Sequence, residues 1–451
     1  MKCIQCKTDN KLKDRQANQG RCKNCNHPFA FEPTKMGKIK FTDPFFAQAL
    51  QDISANNTLF FTPKQFLYLL DRRLKRKKAS NILGLVFNYL FFSFWIPGFF
   101  GGLLLLLLGN IAFLLVLILW NIFCIRYLLK LSNSTQLSIT ARRQSATLLQ
   151  ILGTFISIVA LIIIFSSSSV TGFFSMVSFF TLVPLGLTVV WLGFSQKRRL
   201  ANATEPLLIS ARQMAEWLYQ WQRANGEINL MLGKPESKLS SSTESSSLTP
   251  DVTAYSFDRL VVCDSEEIAQ MLIANNFHFE KNCAVLSISG YPQSIFETTM
   301  EMLRRNPDLQ VFVLHNCSPE GMKIVSQLRT DPAWFATSDV MIVDVGLLPR
   351  QIMASAKNMF VQNSSSSAKK AQELSKEIRQ NLSAQELEWL DAGNFVELES
   401  FTSRKLMQIL QQSMAKTQAM TIDNTQLEPT SNTLLLVGSS ENNYYAIDSF
   451  G

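Results

Sequence analysis

Hydrophobic positions along this chain follow three rules in succession. Between residues 34 and 74 they recur at helical spacing, first as Phe45, Phe46, Ala49, Leu50 and Ile53, then as Phe66, Leu67, Leu69, Leu70 and Leu74. That spacing predicts two amphipathic helices, and Thr62-Pro63 has the chemistry of an N-cap with proline at the first helical position. From 81 to 196 the periodicity gives way to continuous apolar runs. A helix carrying Trp217, Leu218 and Trp221 is predicted over 210–232, followed by serine runs at 240–242 and 245–247 that read as a linker. Beyond 250, short apolar strands at 260–263, 284–288, 310–314 and 340–343 alternate with helical patterns. Such alternation predicts a mostly parallel, helix-covered sheet of the α/β class.

The apolar runs are long enough to define a membrane region. No residue between 81 and 125 is charged, and one helix of that length would measure roughly 66 Å, about twice the hydrocarbon core. Pro97-Gly98 and Gly101-Gly102 supply the break, and the serines at 166–169 with Gly172 supply another in the second run. Four transmembrane α-helices are expected, at about 82–98, 103–125, 147–165 and 173–194. Cations cluster before the first (Arg72, Arg73, Lys75, Arg76, Lys77, Lys78), between the second and third (Arg126, Lys130, Arg142, Arg143), and after the fourth (Lys197, Arg198, Arg199). Both termini and the central loop are therefore expected in the cytoplasm of a multi-pass protein of the cell's inner membrane. No span contains an ionisable side chain, which disfavours transport and favours an anchor in the lipid bilayer that can also support homo-oligomers.

Charge sharpens this division. Residues 1–80 carry 17 Lys and Arg against 6 Asp and Glu, and residues 81–200 carry 7 against none. Residues 201–451 reverse the sign, with 19 against 29. A simple cytosolic enzyme and a secreted disulfide scaffold are both excluded by this partition. In the basic first segment, Cys3-x2-Cys6 and Cys22-x2-Cys25 are separated by 15 residues. Two such pairs close a tetrahedral all-sulfur site suited to a structural Zn²⁺ with no open position for catalysis. The segment resembles a zinc ribbon, with Phe29 and Phe31 as strand-type residues; disulfides and a rubredoxin-like iron are the alternatives. His27 reads as a surface imidazole. Lys7, Lys11, Lys13, Arg15, Arg21 and Lys23 make the ribbon basic, which suits anionic headgroups or nucleic acid.

Ligands of parallel sheets meet the loops at the carboxyl ends of the strands. Those loops hold Asp264, Ser265, Glu266 and Glu267, then Gly290, then His315 to Gly321, then Asp344. The start at Cys263-Asp264 and the run Leu314-His315-Asn316-Cys317-Ser318-Pro319-Glu320-Gly321 resemble the TOPRIM fold of topoisomerases, primases and related nucleases. That family places a Glu after its first strand and an Asp-x-Asp pair after its third, where the acids hold Mg²⁺. Here Asp264 stands at the first position, with Glu266 or Glu267 as substitutes. Asn316 and Ser318 occupy the Asp-x-Asp positions, so the resemblance implies a degenerate site with Asp264 and Glu320 as its remaining candidates. His315 and Cys317 read as a hydrogen-bonding group and a core residue rather than a catalytic pair, and Cys263 and Cys283 as core.

The expected organisation is a ribbon at 1–33, a basic amphipathic helical segment at 34–80, and the four spans within 81–196. A helix and linker at 197–250, the TOPRIM-like domain at 251–350, a helical extension at 351–416 and a disordered tail at 417–451 complete it. Ser364 to Ser367 reads as a joint, and Gly393 with Phe395 and Val396 separates the two halves of the extension. The expected function is binding or regulation at the cytoplasmic membrane face, through a protein or nucleic-acid partner. A Mg²⁺-dependent nuclease or phosphotransferase is the alternative.

Overall fold

Two knuckles built on the Cys-x2-Cys pairs shape the amino terminus. In each, the residue after the second cysteine takes a left-handed conformation (Lys7 φ 61°, Asn26 φ 55°). Its N–H then donates to the carbonyl of the first cysteine, Lys7 to Cys3 and Asn26 to Cys22, both at 3.0 Å. The computed structural model describes residues 1–37, 39–78, 89, 91–92, 95, 99, 110–134, 137, 139–166, 172–200, 207–235, 257–306, 308–354, 359–423, 434–436 and 444–447. It divides into two compact units, one of Met1–Asp71 with Ile209–Gly451, the other of Arg72–Leu208.

Helix α1 (Leu12–Ala17) separates the knuckles, and α2 (Asp43–Ile53) and α3 (Pro63–Lys78) follow them. Thr62 caps α3 as its sequence suggested: Gln65 N–H donates to Thr62 Oγ1 at 3.2 Å, and Thr62 N–H to Gln65 Oε1 at 2.9 Å.

In the second unit, α4 (Asn110–Asn133), α5 (Ile139–Ser166) and α6 (Gly172–Arg199) run up, down and up. Two stretches, Ala141–Ile162 and Phe179–Arg199, are long and apolar enough to cross a membrane. They correspond to the third and fourth expected spans. The second expected span falls partly on α4, and the first lies almost wholly outside the described residues. Arg142 Nε donates to the Ser132 carbonyl at the end of α4 (2.8 Å), and Arg143 donates to the Leu200 carbonyl just past α6 (3.3 Å). Cations thus meet the carbonyl ends of two helices, where the helix dipole favours them. The α5–α6 contact is made by small residues. A Cβ on Gly186 would lie 2.2 Å from Ser157 Oγ and 2.7 Å from the Gly153 carbonyl, and one on Gly193 would lie 2.9 Å from the Ala146 carbonyl. Phe180, Leu187, Trp191 and Phe194 on α6 point away from this contact and are exposed.

Helix α7 (Ala211–Asn225) returns to the first unit. Its Trp221 is buried beside Phe31 and Phe46, and Trp217 meets Phe41 edge-on at 4.8 Å. The α/β part follows as β1 (Arg259–Cys263), α8 (Glu266–Ala274), α9 (Phe277–Lys281), β2 (Cys283–Ser287), α10 (Phe296–Arg304), β3 (Gln310–Leu314), α11 (Pro319–Thr330) and β4 (Met341–Asp344). All four strands fall where the apolar runs placed them. They pair in parallel in the order β2-β1-β3-β4. Alternate side chains of β1 serve two cores: Val261 and Cys263 pack with Ile268 and Leu272 of α8, and Leu260 and Val262 with Met300 of α10 and Ile324 of α11. A sheet covered on both faces, with its strand order reversing between β1 and β3, is doubly wound.

The extension adds α12 (Pro349–Ala354), β5 (Gln362–Asn363), α13 (Ser365–Gln372), α14 (Lys376–Gln380), α15 (Ala384–Asp391), β6 (Asn394–Phe395), a 3-10 turn at Leu398–Ser400 and α16 (Ser403–Asp423). Where disorder was expected in the tail, β7 (Leu434–Leu436) and β8 (Tyr444–Ile447) join the sheet, β8 pairing in parallel with β4 and β7 antiparallel to β8. Backbone hydrogen bonding to an open sheet edge orders them, a term that local composition does not report.

The glycine contact yields a test. Gly186→Leu should lower the stability of the full chain in detergent by about 1–3 kcal/mol, because the backbones cannot separate without losing the whole contact. Leu187→Ala, on the exposed side, should leave the melting temperature nearly unchanged.

Candidate functional site

The four cysteines Cys3, Cys6, Cys22 and Cys25 converge, their sulfurs all within 4.8 Å of one another. Cys3 and Cys25 Sγ lie 3.6 Å apart, and Cys6 and Cys22 Sγ 3.5 Å apart. A tetrahedral ion with Zn–S bonds of about 2.3 Å needs sulfur–sulfur edges of about 3.8 Å, so these residues can hold a metal such as zinc. Second-sphere groups are in place: Asn10 Nδ2 donates to Cys22 Sγ at 3.4 Å while its Oδ1 accepts from Lys23 N–H at 2.9 Å. Contact with Thr8 holds the Cys6 thiol down at about 5.

His27 is turned away from the sulfurs and its Nε2 lies 2.9 Å from Asn225 Oδ1 on α7. Arg15, counted above among the surface cations, is buried instead and forks onto Glu32 at 2.8 and 3.0 Å. Lys23 pairs with Asp14 at 3.0 Å. Two of the six cations are thus engaged within this segment, because a module this small has little apolar core to hold its chain crossing. Buried Asp43 closes the module, accepting the N–H groups of Ala30 and Phe31 at 2.9 Å each.

A second site lies at the carboxyl ends of β1 and β3, where the strand order reverses. A cavity of about 420 Å³ opens there, bounded by Asp264, Asn316, Ser318, Glu320, Ser367 and Lys370 among others. The structure therefore brings together Asp264, Asn316, Ser318 and Glu320, as their loop positions suggested. It also shows what each is doing. Asp264 Oδ2 accepts the Asn316 N–H at 2.7 Å, and Asn316 Oδ1 accepts the Leu398 N–H at 2.6 Å. Ser318 Oγ caps α11 by accepting the Gly321 N–H at 3.1 Å. Glu320 pairs with Lys370 of α13. Glu266 accepts from the Ser289 hydroxyl at 2.7 Å, and Glu267 is exposed. Among the described residues, the four cysteines are the only group of three or more His, Cys, Asp or Glu side chains placed to share a metal ion.

Burial pushes the Asp264 carboxyl up to about 7, against the opposing hydrogen bond from Asn316. Its Oδ1 has no hydrogen-bond partner. His315 is fully buried, with Nε2 3.0 Å from Asp344 Oδ1 and Nδ1 2.8 Å from the Asn316 carbonyl. Burial alone would lower its pKa, but the Asp344 carboxylate overrides that and raises it to about 9. Cys317 is buried too, its thiol pushed well above the usual range, and its backbone pairs with Val396 at 3.0 and 2.9 Å. The two side chains thus have separate structural partners, as expected.

Sequence reasoning missed the residues that come from far away. Lys64 of α3 reaches Glu397 at 2.8 Å and Glu399 at 3.5 Å. Tyr68 donates to Glu397, and Gln362 donates to the Tyr68 oxygen. The Glu399 carboxyl is pushed up by burial. The serines of the supposed joint form the start of α13, with Ser364 Oγ accepting the Ser366 N–H at 3.2 Å. Four serines in a row carry both meanings, linker and N-cap, and no local signal separates them.

The arrangement joins a four-thiol cluster able to hold a metal to a doubly wound α/β domain with a cavity at its switch point. No protein-family model matches the chain, and no curated protein is similar to it.

Two measurements check the chemistry. Elemental analysis of the purified chain should find one transition-metal ion per molecule, and Cys22→Ser should lose it. The His315–Asp344 pair predicts a pH window. A histidine whose folded pKa lies above its unfolded value stabilises fully below pH 6.5 and loses that contribution as pH rises through 9. Melting temperature should fall between about pH 7 and 9, and Asp344→Asn should start lower and fall less over that window.

Proposed function

We propose that this chain is an integral membrane protein with four spans, both termini in the cytoplasm, whose cytoplasmic modules bind and regulate rather than catalyse. The ion in the Cys3, Cys6, Cys22 and Cys25 site is a structural zinc, for an all-sulfur site has no open position. The charge-free spans act as an anchor and the three basic clusters set its orientation. The α/β domain, degenerate relative to the TOPRIM pattern, is a recognition module.

One observation carries the non-catalytic reading. The side chains standing where a TOPRIM-type Mg²⁺ site would be are committed to partners within the protein: Asp264 to the Asn316 N–H, Asn316 to the Leu398 N–H, and Glu320 to Lys370. Mg²⁺ demands near-octahedral oxygen ligands and dehydrates reluctantly, so one partly free carboxyl is a poor site.

Calorimetric titration of the zinc-loaded full chain with Mg²⁺ and Mn²⁺ tests this. No saturable binding at millimolar metal is expected. One-site Mn²⁺ binding that Asp264→Ala weakens at least tenfold would instead establish a phosphoryl-transfer site and overturn the reading.

A further inference from the structure

Two helices begin at the switch-point cavity. Helix α11 starts at Pro319 behind its Ser318 cap, and α13 starts at Ser365 behind its Ser364 cap. Ser318, Glu320 and Gly321 of the first, and Ser364, Ser366 and Ser367 of the second, line the same space. Each amino terminus presents the positive end of a dipole. Convergent helix starts alone are common, but a separate feature singles this place out. Ser367 is 8% exposed, lines the cavity, and its Oγ has no hydrogen-bond partner. An unpartnered buried hydroxyl is destabilising unless something else bonds to it. Lys370, one turn further along α13, also lines the cavity, and its ammonium pairs with Glu320 on the opposite helix.

We propose that this cavity binds the phosphate group of a small, hydroxyl-bearing phosphate monoester, held between the starts of α11 and α13 by Ser367 and Lys370. This deepens the reading of the α/β domain as a recognition module and rests on it. Glu320 is the internal competitor: it occupies Lys370 when no ligand is present and is displaced from it when phosphate enters. A volume of about 420 Å³ is larger than a phosphate alone needs. On the other wall, Asp264 keeps one oxygen without a partner, an acceptor for a ligand hydroxyl.

The opposed charges give the test its discriminating power. Inorganic phosphate and ribose 5-phosphate would be titrated into the full, zinc-loaded chain in detergent and read by calorimetry and thermal shift. Saturable binding of both is expected, tighter for the monoester. Lys370→Ala should weaken it by about tenfold and Ser367→Ala by about fivefold. Glu320→Gln should tighten it by about fivefold, because the ammonium of Lys370 then has no carboxylate competing for it. Lys370→Ala and Glu320→Gln break the same ion pair, so opposite changes in affinity cannot arise from lost stability. Asp264→Ala should remove only the advantage of the monoester. The chain in nanodiscs with phosphatidic acid separates the sources: unchanged affinity for soluble monoester identifies a soluble ligand, and competition by the lipid identifies a headgroup.

No phosphate binding in wild type or in Glu320→Gln overturns the pocket while leaving a non-catalytic domain intact. Hydrolysis of the monoester overturns the non-catalytic reading while leaving the pocket in place.

Discussion

The switch-point site depends on an ionic seam between the amino-terminal module and the carboxyl edge of the sheet. Lys64 and Tyr68 on α3 engage Glu397 and Glu399, of which Glu399 is nearly buried. Two carboxylates so close together, one of them desolvated, would repel each other without a cation between them. The ammonium of Lys64 makes the arrangement tenable, and Glu399 in turn favours the charged form of Lys64 against its partial desolvation. The seam holds the strand and 3-10 turn at 394–400 in place, and that segment supports the loop after β3. Val396 pairs with Cys317, and the Leu398 N–H holds the side chain of Asn316. Asn316 then orients Asp264 through its own N–H. A chain of contacts therefore runs from residue 64 to the floor of the cavity.

That chain gives the four-cysteine module a role beyond its own fold. The two Cys-x2-Cys knuckles shape the amino-terminal segment, Asp43 clamps Ala30 and Phe31, and Phe31 and Phe46 pack on Trp221. Phe46 also meets Phe66 of α3 edge-on at 5.1 Å. Helix α3 is thus held from the ribbon side by aromatic packing and from the sheet side by charge. Phe60 and Asn275 add a reciprocal pair of hydrogen bonds, at 2.8 and 3.0 Å, between the segment before α3 and the end of α8. A four-cysteine module and a cavity that share one helix are coupled in stability, since ordering either one pre-orders the other.

Much of this was legible in the sequence. Hydrophobic patterning located all four central strands, the helices at α2, α3 and α7 and the apolar helices α5 and α6. These depend on local periodicity and on the solvent a segment faces. Cysteine spacing located the four-thiol cluster, because two Cys-x-x-Cys knuckles bring their sulfurs together. The rule that ligands meet the carboxyl ends of parallel strands is enough to predict Asp264, Asn316, Ser318 and Glu320 near one another. Other features were not legible for physical reasons. Arg15 looked like one more surface cation, and only its fork onto Glu32, 17 residues away, makes it a buried strut. Lys64 is separated from Glu397 by 333 residues, and no pattern along the chain links them.

The sequence by itself determined which helices are long and apolar enough to cross a membrane, where four thiols converge and which segments become strands. Each follows from short-range chemistry, namely runs without charge, thiolates at fixed spacing and alternation of apolar residues. The tertiary structure alone decided what the polar residues do. Whether an Asp, Lys or Ser is a ligand, a cap or a strut depends on the partner that faces it and on how much water remains around it. Long-range packing sets both, as it does where β7 and β8 from the tail complete the sheet edge.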